Sequence, residues 1–200
     1  MRILVIGASG TIGAAVVRAL QAGHEIVAAS HGKSDHAVDL ADPASIRGLY
    51  QAVGTVDAVV CAAGVAQFGE LARLSDDDFA VSVGNKLMGQ VNVVREGLPH
   101  VADGGSITLT SGGLAHHPVP GSAAVSMVSA GIEAFARAAA LEAPREIRIN
   151  VVSPPWVRET LQAMGRDGAD GLPAATVARA YVDSVEGSAG GTVLDARDYA

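Results

Sequence analysis

Gly7, Gly10 and Gly13 stand at the spacing of a turn that holds a pyrophosphate. Gly7 permits the tight turn, Gly10 lets the backbone approach the phosphates, and Gly13 lets the following helix pack close to the preceding strand. Ser9, Thr11 and Ile12 fill the turn and are predicted to touch the same ligand. Further on, Ser30, His31 and Lys33 offer a hydroxyl, an imidazole and an ammonium, where a carboxylate would bind a ribose 2′-hydroxyl and repel a 2′-phosphate. That set favours NADP(H) over NAD(H), although the same residues also suit a solvated loop. Asp39, followed by Leu40, places a carboxylate where it can accept from an adenine amino group, or simply make a turn beside Asp42.

These residues need a strand before the glycines and a helix after them. Residues 1–6 are an apolar run of strand length, and residues 14–20 carry Val16, Val17 and Leu20 on one helical face. The same alternation continues along the chain. Strands are predicted at 25–30, 36–40, 56–61, 106–111, 147–153 and 192–195. A helix opens at Asp42 and Pro43, a capping residue followed by proline at the first helical position. A capping box at 75–78 starts a helical stretch towards Val101 with a break near Gly84, and further helices are predicted at 122–142 and 176–186. Regular βα alternation in one chain of 200 residues predicts an α/β fold, a Rossmann-type doubly wound parallel sheet of about seven strands with helices on both faces. One domain spans 1–200, and the ligand is expected across the carboxyl ends of the strands.

Bulk properties narrow the function classes. The net charge of −7, with no basic cluster, argues against nucleic acid and acidic membrane surfaces. Cys61 stands alone, so no internal disulfide framework exists, and a reducing cytoplasm is the expected location. No apolar run is expected to reach spanning length, and Met1 leads directly into a strand, which leaves no room for a signal peptide. No set of residues with metal-ligand spacing stands out.

The glycine turn, the segment Val38-Asp39-Leu40, the segment Ala62-Ala63-Gly64, the strand ending at Ser111 and the stretch from Ile147 to Pro154 together resemble the short-chain dehydrogenase/reductase family over nearly the whole length. The middle glycine stands one residue earlier than in compact members. The resemblance implies hydride transfer between a nicotinamide and a carbonyl or alcohol, with Ala62, Ala63, Gly64, Pro154, Trp156 and Val157 beside the cofactor. It also implies a tyrosine acid, a lysine four residues on that lowers its pKa and holds the ribose, a polarising serine, and an asparagine on the preceding helix. Ser111 matches the serine. Val125 stands at the tyrosine position, Ser129 at the lysine and Lys86 at the asparagine, with Asn85 one residue early. Pro155 replaces a turn glycine, and Cys61 and Ala62 replace paired asparagines. The pattern is similar to an atypical subgroup that keeps the cofactor turn without the usual Tyr-x-x-x-Lys residues.

Three functions fit this altered site. One is a rewired reductase acting on a small carbonyl or alcohol. In it Lys86 and Ser129 face each other across the nicotinamide ribose, Ser111 binds beside it, and His116 or His117 donates a proton near neutral pH. The second is a non-catalytic NADPH-binding sensor or interaction module. The third is proton transfer without redox chemistry through His117 and Lys86. Tyr50 and Tyr181 are expected away from the nicotinamide, and Tyr199 would reach it only in a neighbouring subunit. The substrate lid is shortened to about 156–172, where Trp156 and Met164 either cover the nicotinamide or pack under the loop. In the family the helix at 123–140 and the one before it form the subunit interface, which implies a homodimer or homotetramer.

Overall fold

The computed structural model describes residues 1–32 and 34–200; Lys33, named above as a phosphate ligand, lies outside the described residues. Seven strands form one sheet: β1 (Arg2–Ile6), β2 (Glu25–Ser30), β3 (His36–Ala37), β4 (Val56–Cys61), β5 (Val101–Thr110), β6 (Arg148–Ser153) and β7 (Val193–Asp195). Their order is β3-β2-β1-β4-β5-β6-β7, and every pair is parallel. Strand order reverses between β1 and β4, and a crevice opens beyond the carboxyl ends of those two strands. The sheet is apolar on both faces because both are covered: Ile3, Leu4, Val5 and Ile6 are all fully buried.

Helices α1 (Thr11–Leu20) and α7 (Ala174–Glu186) cover one face, packing Val16, Leu20, Val177 and Tyr181 against Ile3 and Val5. Helices α2 (Pro43–Val53), α4 (Gly89–Gly97) and α5 (Ala123–Glu142) cover the other, with Ile46, Val93 and Ile132 in a core that includes Leu4 and Ile6. The predicted caps form: Asp42 accepts from the Ala44 N–H at 2.8 Å, and Ser75 and Asp78 cap α3 (Asp76–Ser82) reciprocally.

Four boundaries differ from the sequence expectation. Strand β3 stops at Ala37 because the Asp39 N–H donates to Ser45 Oγ at 2.9 Å and the Asp39 carboxylate accepts from Ala41, so side chains satisfy a backbone that a longer strand would have paired. The break expected near Gly84 is a π-helical turn, Val83–Met88, joining α3 to α4. Helix α4 ends at Gly97, Pro99 sits in the 3₁₀ turn Leu98–His100, and β5 starts at Val101, where the helix had been expected to end. A short helix, α6 (Arg158–Ala163), occupies the lid. The expectation that no apolar stretch reaches spanning length also needs correcting. Helix α5 is long and apolar enough to cross a membrane by length and composition, with a mean hydropathy of 1.3. Here it carries Glu133 and Arg137 and lays Ile132 and Ala136 into the core.

Candidate active site

The glycine turn is fixed by close approach. Gly7 has φ +87°, and a Cβ there would lie 2.7 Å from the Ala62 carbonyl; a Cβ on Gly13 would fall on the carbonyl of Gly7. The Gly10 N–H donates to the Gly7 carbonyl at 2.9 Å. No side chain caps α1, and its first turn holds no acidic residue, so its leading N–H groups are left for an anion. These features fit a pyrophosphate.

Two cavities lie along the carboxyl edge of the sheet. The first, about 710 Å³, is lined by Gly7, Ser30, His31, Asp39, Leu40, Ala63 and Gly64, together with Asn85. The second, about 490 Å³, is lined by Ile12, Lys86, Ser111, His117, Val125, Ser129, Pro154, Trp156 and Val157. They meet where Lys86 crosses Gly64: a Cβ on Gly64 (φ +136°) would lie 3.1 Å from Lys86 Cγ. Ser9, Gly10 and Thr11 are exposed on the turn and line neither cavity. Gly13 is buried under the turn, and the half-buried Ala62 packs against the core and lines neither cavity.

Ser111 is held by the end of β5. Gln90 on α4 clamps Thr110, donating to its carbonyl at 2.8 Å and accepting its N–H at 2.7 Å. Thr110 Oγ1 donates to the Cys61 carbonyl and pairs with the Tyr181 hydroxyl at 2.7 Å. Ser111 then follows with its own N–H on Val152. The π-turn separates two adjacent polar residues. Asn85 accepts from the Val65 N–H at 2.7 Å and faces the first cavity, whereas Lys86 reaches the second, with Nζ 3.4 Å from the Ser111 carbonyl. Burial pushes the Lys86 ammonium below the ordinary lysine range. Ser129, across the same cavity on α5, has a fully buried hydroxyl with no hydrogen-bond partner among the described residues. Buried hydroxyls are ordinarily paired, so this one stands out beside the cavity.

The two histidines separate. His117 lines the second cavity. His116 turns to α5, its Nε2 2.7 Å from Glu133 Oε2. Glu133 is buried, and its other oxygen accepts from Ser111 Oγ at 2.8 Å. The sequence reading missed Glu133; it stands one helical turn beyond Ser129, and a carboxylate in an otherwise apolar Ala-rich helix was the available signal. No tyrosine lines the second cavity. Tyr50 is buried between α2 and α4 and donates to the Val93 carbonyl, Tyr181 is buried under β5, and Tyr199 meets Asp183 at the surface. Burial raises the hydroxyl pKa of both Tyr50 and Tyr181, and burial with the Asp183 carboxylate pushes Tyr199 up to about 12.

The lid is anchored at its base. Val157 and Leu172 bridge, and Trp156 stacks edge-on to Phe68 at 6.2 Å while the Arg166 guanidinium lies 5.3 Å over its ring. Trp156 is therefore held over the second cavity from both sides, whereas Met164 is exposed and lines neither cavity.

Known proteins resemble this chain in sequence and fold. A family profile described as enoyl-(acyl carrier protein) reductase matches residues 7–187. A versicolorin reductase of Emericella nidulans is 32% identical over 180 residues, covering 78% of this chain and 68% of that protein. The crystal structure of protein lin1944 from Listeria innocua superposes with a TM-score of 0.94 at 40% identity, over 98% of each chain. A small-chain dehydrogenase in complex with NADPH superposes with a TM-score of 0.86 at 25% identity, over 98% of this chain and 95% of that one.

Proposed function

Because this chain belongs to the short-chain dehydrogenase/reductase family, we propose that it is an NADP(H)-dependent oxidoreductase acting on a small carbonyl or alcohol through a rearranged site. The observation that carries the proposal is the second cavity, where Lys86 and the unpartnered Ser129 hydroxyl stand in one wall system with Ser111. In this reading the first turn of α1 holds the pyrophosphate, and Ser30 and His31 reach a 2′-phosphate at the end of β2. No carboxylate stands between Ser30 and Ser34 to repel it. Lys86 and Ser129 hold the nicotinamide ribose in place of the tyrosine and lysine that Val125 and Ser129 displace. Trp156, Pro154 and Val157 shield the far end from water. The nicotinamide, when bound, supplies or accepts a hydride.

The polar chain behind Ser111 favours catalysis over a nucleotide-holding sensor, because a binding site alone has no use for a buried carboxylate there. The exposed apolar residues Met127 and Leu141 of α5, with Ala130 and Ala134 between them, support a homo-oligomer joined through that helix. Fluorescence titration tests the cofactor reading: NADPH binds more tightly than NADH, and equal or reversed affinities overturn it. Lys86→Ala weakens NADPH by roughly 10-fold or more, the worth of a charge-assisted hydrogen bond of about 1.5–3 kcal/mol. An unchanged affinity removes Lys86 from the ribose.

A further inference from the structure

Glu133 is the only buried carboxylate among the described residues, and it touches Ser111 of the second cavity on one side and the half-exposed His116 on the other. A carboxylate taken out of water is costly unless its lone pairs are used. Both oxygens are used here, one by Ser111 on the cavity side and one by His116 on the outer side. The Glu133 side chain is 2% exposed and that of His116 54% exposed, so the contacts run from interior to surface in two steps. Arg137 on the same helix stands 4.0 Å from Oε2, and Lys86 approaches the Ser111 carbonyl from the π-turn. Arg137 offsets the carboxylate without occupying the Ser111 contact.

We propose that Ser111, Glu133 and His116 form a relay that carries one proton between the nicotinamide-side cavity and solvent. The proposal rests on the oxidoreductase reading and supplies the acid and base that Val125 cannot. With its proton directed at Glu133, Ser111 presents its oxygen lone pairs to the cavity, ready to accept from a substrate hydroxyl. In alcohol oxidation the substrate O–H bond breaks and its proton bonds to Ser111 Oγ, while the proton of Ser111 passes to Glu133 Oε1. The 2.7 Å line between Glu133 Oε2 and His116 Nε2 already holds one proton; as Oε1 gains the proton of Ser111, that shared proton settles on Nε2 and the imidazole gives its Nδ1 proton to water. The hydride of the substrate carbon goes to the oxidised nucleotide, so two electrons and one proton are accounted for. Carbonyl reduction runs the same transfers backwards. Glu133 and His116 act through Ser111 and are positioning and relay residues; Ser111 is the group that meets substrate.

Two measurements test the relay. The first uses the protein without nucleotide: the ring proton on the line between His116 Nε2 and Glu133 Oε2 is observed by NMR in the wild type and in Glu133→Gln. The wild type is expected to show it as a downfield signal that Glu133→Gln loses. The same spectrum from both proteins overturns the relay. The second measures oxidation of a panel of small secondary alcohols with NADP⁺. Glu133→Gln is expected to lower kcat roughly 100-fold or more, with KM and nucleotide affinity unchanged and Glu133→Asp partly active. His116→Ala is expected to lose activity and regain it when imidazole is added to the buffer, which a purely structural histidine would not do. Glu133→Gln at full kcat, or His116→Ala without imidazole rescue, overturns the relay. A wild-type protein that binds no NADP(H) overturns the oxidoreductase reading instead, and the His116 ring-proton signal still decides whether the two groups are hydrogen-bonded.

Discussion

The two cavities along the sheet edge are built in different ways. The first is walled by backbone and small side chains, Gly7, Ala63 and Gly64 against Val38 and Leu40, all at or beside the ends of β1, β3 and β4. The second is walled by side chains that arrive from separate places: Lys86 from the π-turn, Ser111 from β5, Ser129 from α5, His117 from the following loop and Trp156 from the lid. A backbone cradle tolerates almost no substitution, because a Cβ in the wrong place collides with main chain. A cluster of side chains tolerates redistribution, because a charge can be supplied by any element that reaches the spot. On the proposed reading, the first half is the one that main chain fixes, and the second is the one where polar groups around Val125 are free to come from other elements.

Gly13→Ala gives the largest expected effect on the first half. The added Cβ meets the Gly7 carbonyl, so α1 must shift away from the turn. The mutant is expected to lose NADPH affinity by roughly 100-fold or more, about 2.7 kcal/mol. Overpacking also lowers its stability by about 1–3 kcal/mol. Retained affinity would break the claim that the backbone cradle is the rigid half. Ser129→Ala sharpens the contrast with a smaller effect of opposite signs. Removing a buried hydroxyl that lacks a partner is expected to stabilise the free protein by about 1 kcal/mol. The same change should weaken NADPH by roughly 3- to 10-fold, the worth of one neutral hydrogen bond of about 0.5–1.5 kcal/mol. Thermal melts and titrations on one preparation read both, and a fall in both would make Ser129 a structural residue.

The same contrast governs what the sequence reveals. Gly7, Gly10 and Gly13, the Asp42 cap and the Ser75–Asp78 box are local patterns, and each has its predicted structure. The alternation of strands and helices carried the doubly wound sheet with it, because a βα repeat has few other ways to pack. Glu133 was legible only as a carboxylate in an Ala-rich helix, and nothing near it in sequence announces Ser111, 22 positions away, as its partner. The π-turn was visible only as a break near Gly84, yet it is what sends Asn85 and Lys86 into different cavities. Gln90 carries no local signal, because its clamp on Thr110 depends on a strand 20 positions away. Side-chain clusters assembled across the fold leave no periodic trace, whereas turns and caps do.

The smallest expected effect is a slope that belongs to the second half alone. Burial lowers the Lys86 pKa in the folded protein, while the unfolded chain holds that proton up to the ordinary lysine range near pH ~10.4. Between the depressed folded value and that limit the unfolded state binds more protons, so this group makes stability rise with pH. Below the folded value both states are protonated and the burial penalty is present in full. Cys61, pushed up to about 11 by burial, acts in the opposite sense, as do Tyr50 and Tyr181: the folded state keeps protons that the unfolded state releases, and stability falls as pH rises. The sign is therefore read from a difference. Urea midpoints of the wild type minus those of Lys86→Met are expected to rise as the pH climbs from the depressed folded value towards the ordinary lysine range near pH ~10.4. A flat difference would mean that Lys86 sits in water, and the cavity it lines would then lose its cation. NADPH present in the same experiment should flatten the slope, because an anionic ligand beside the ammonium restores the proton that burial disfavours.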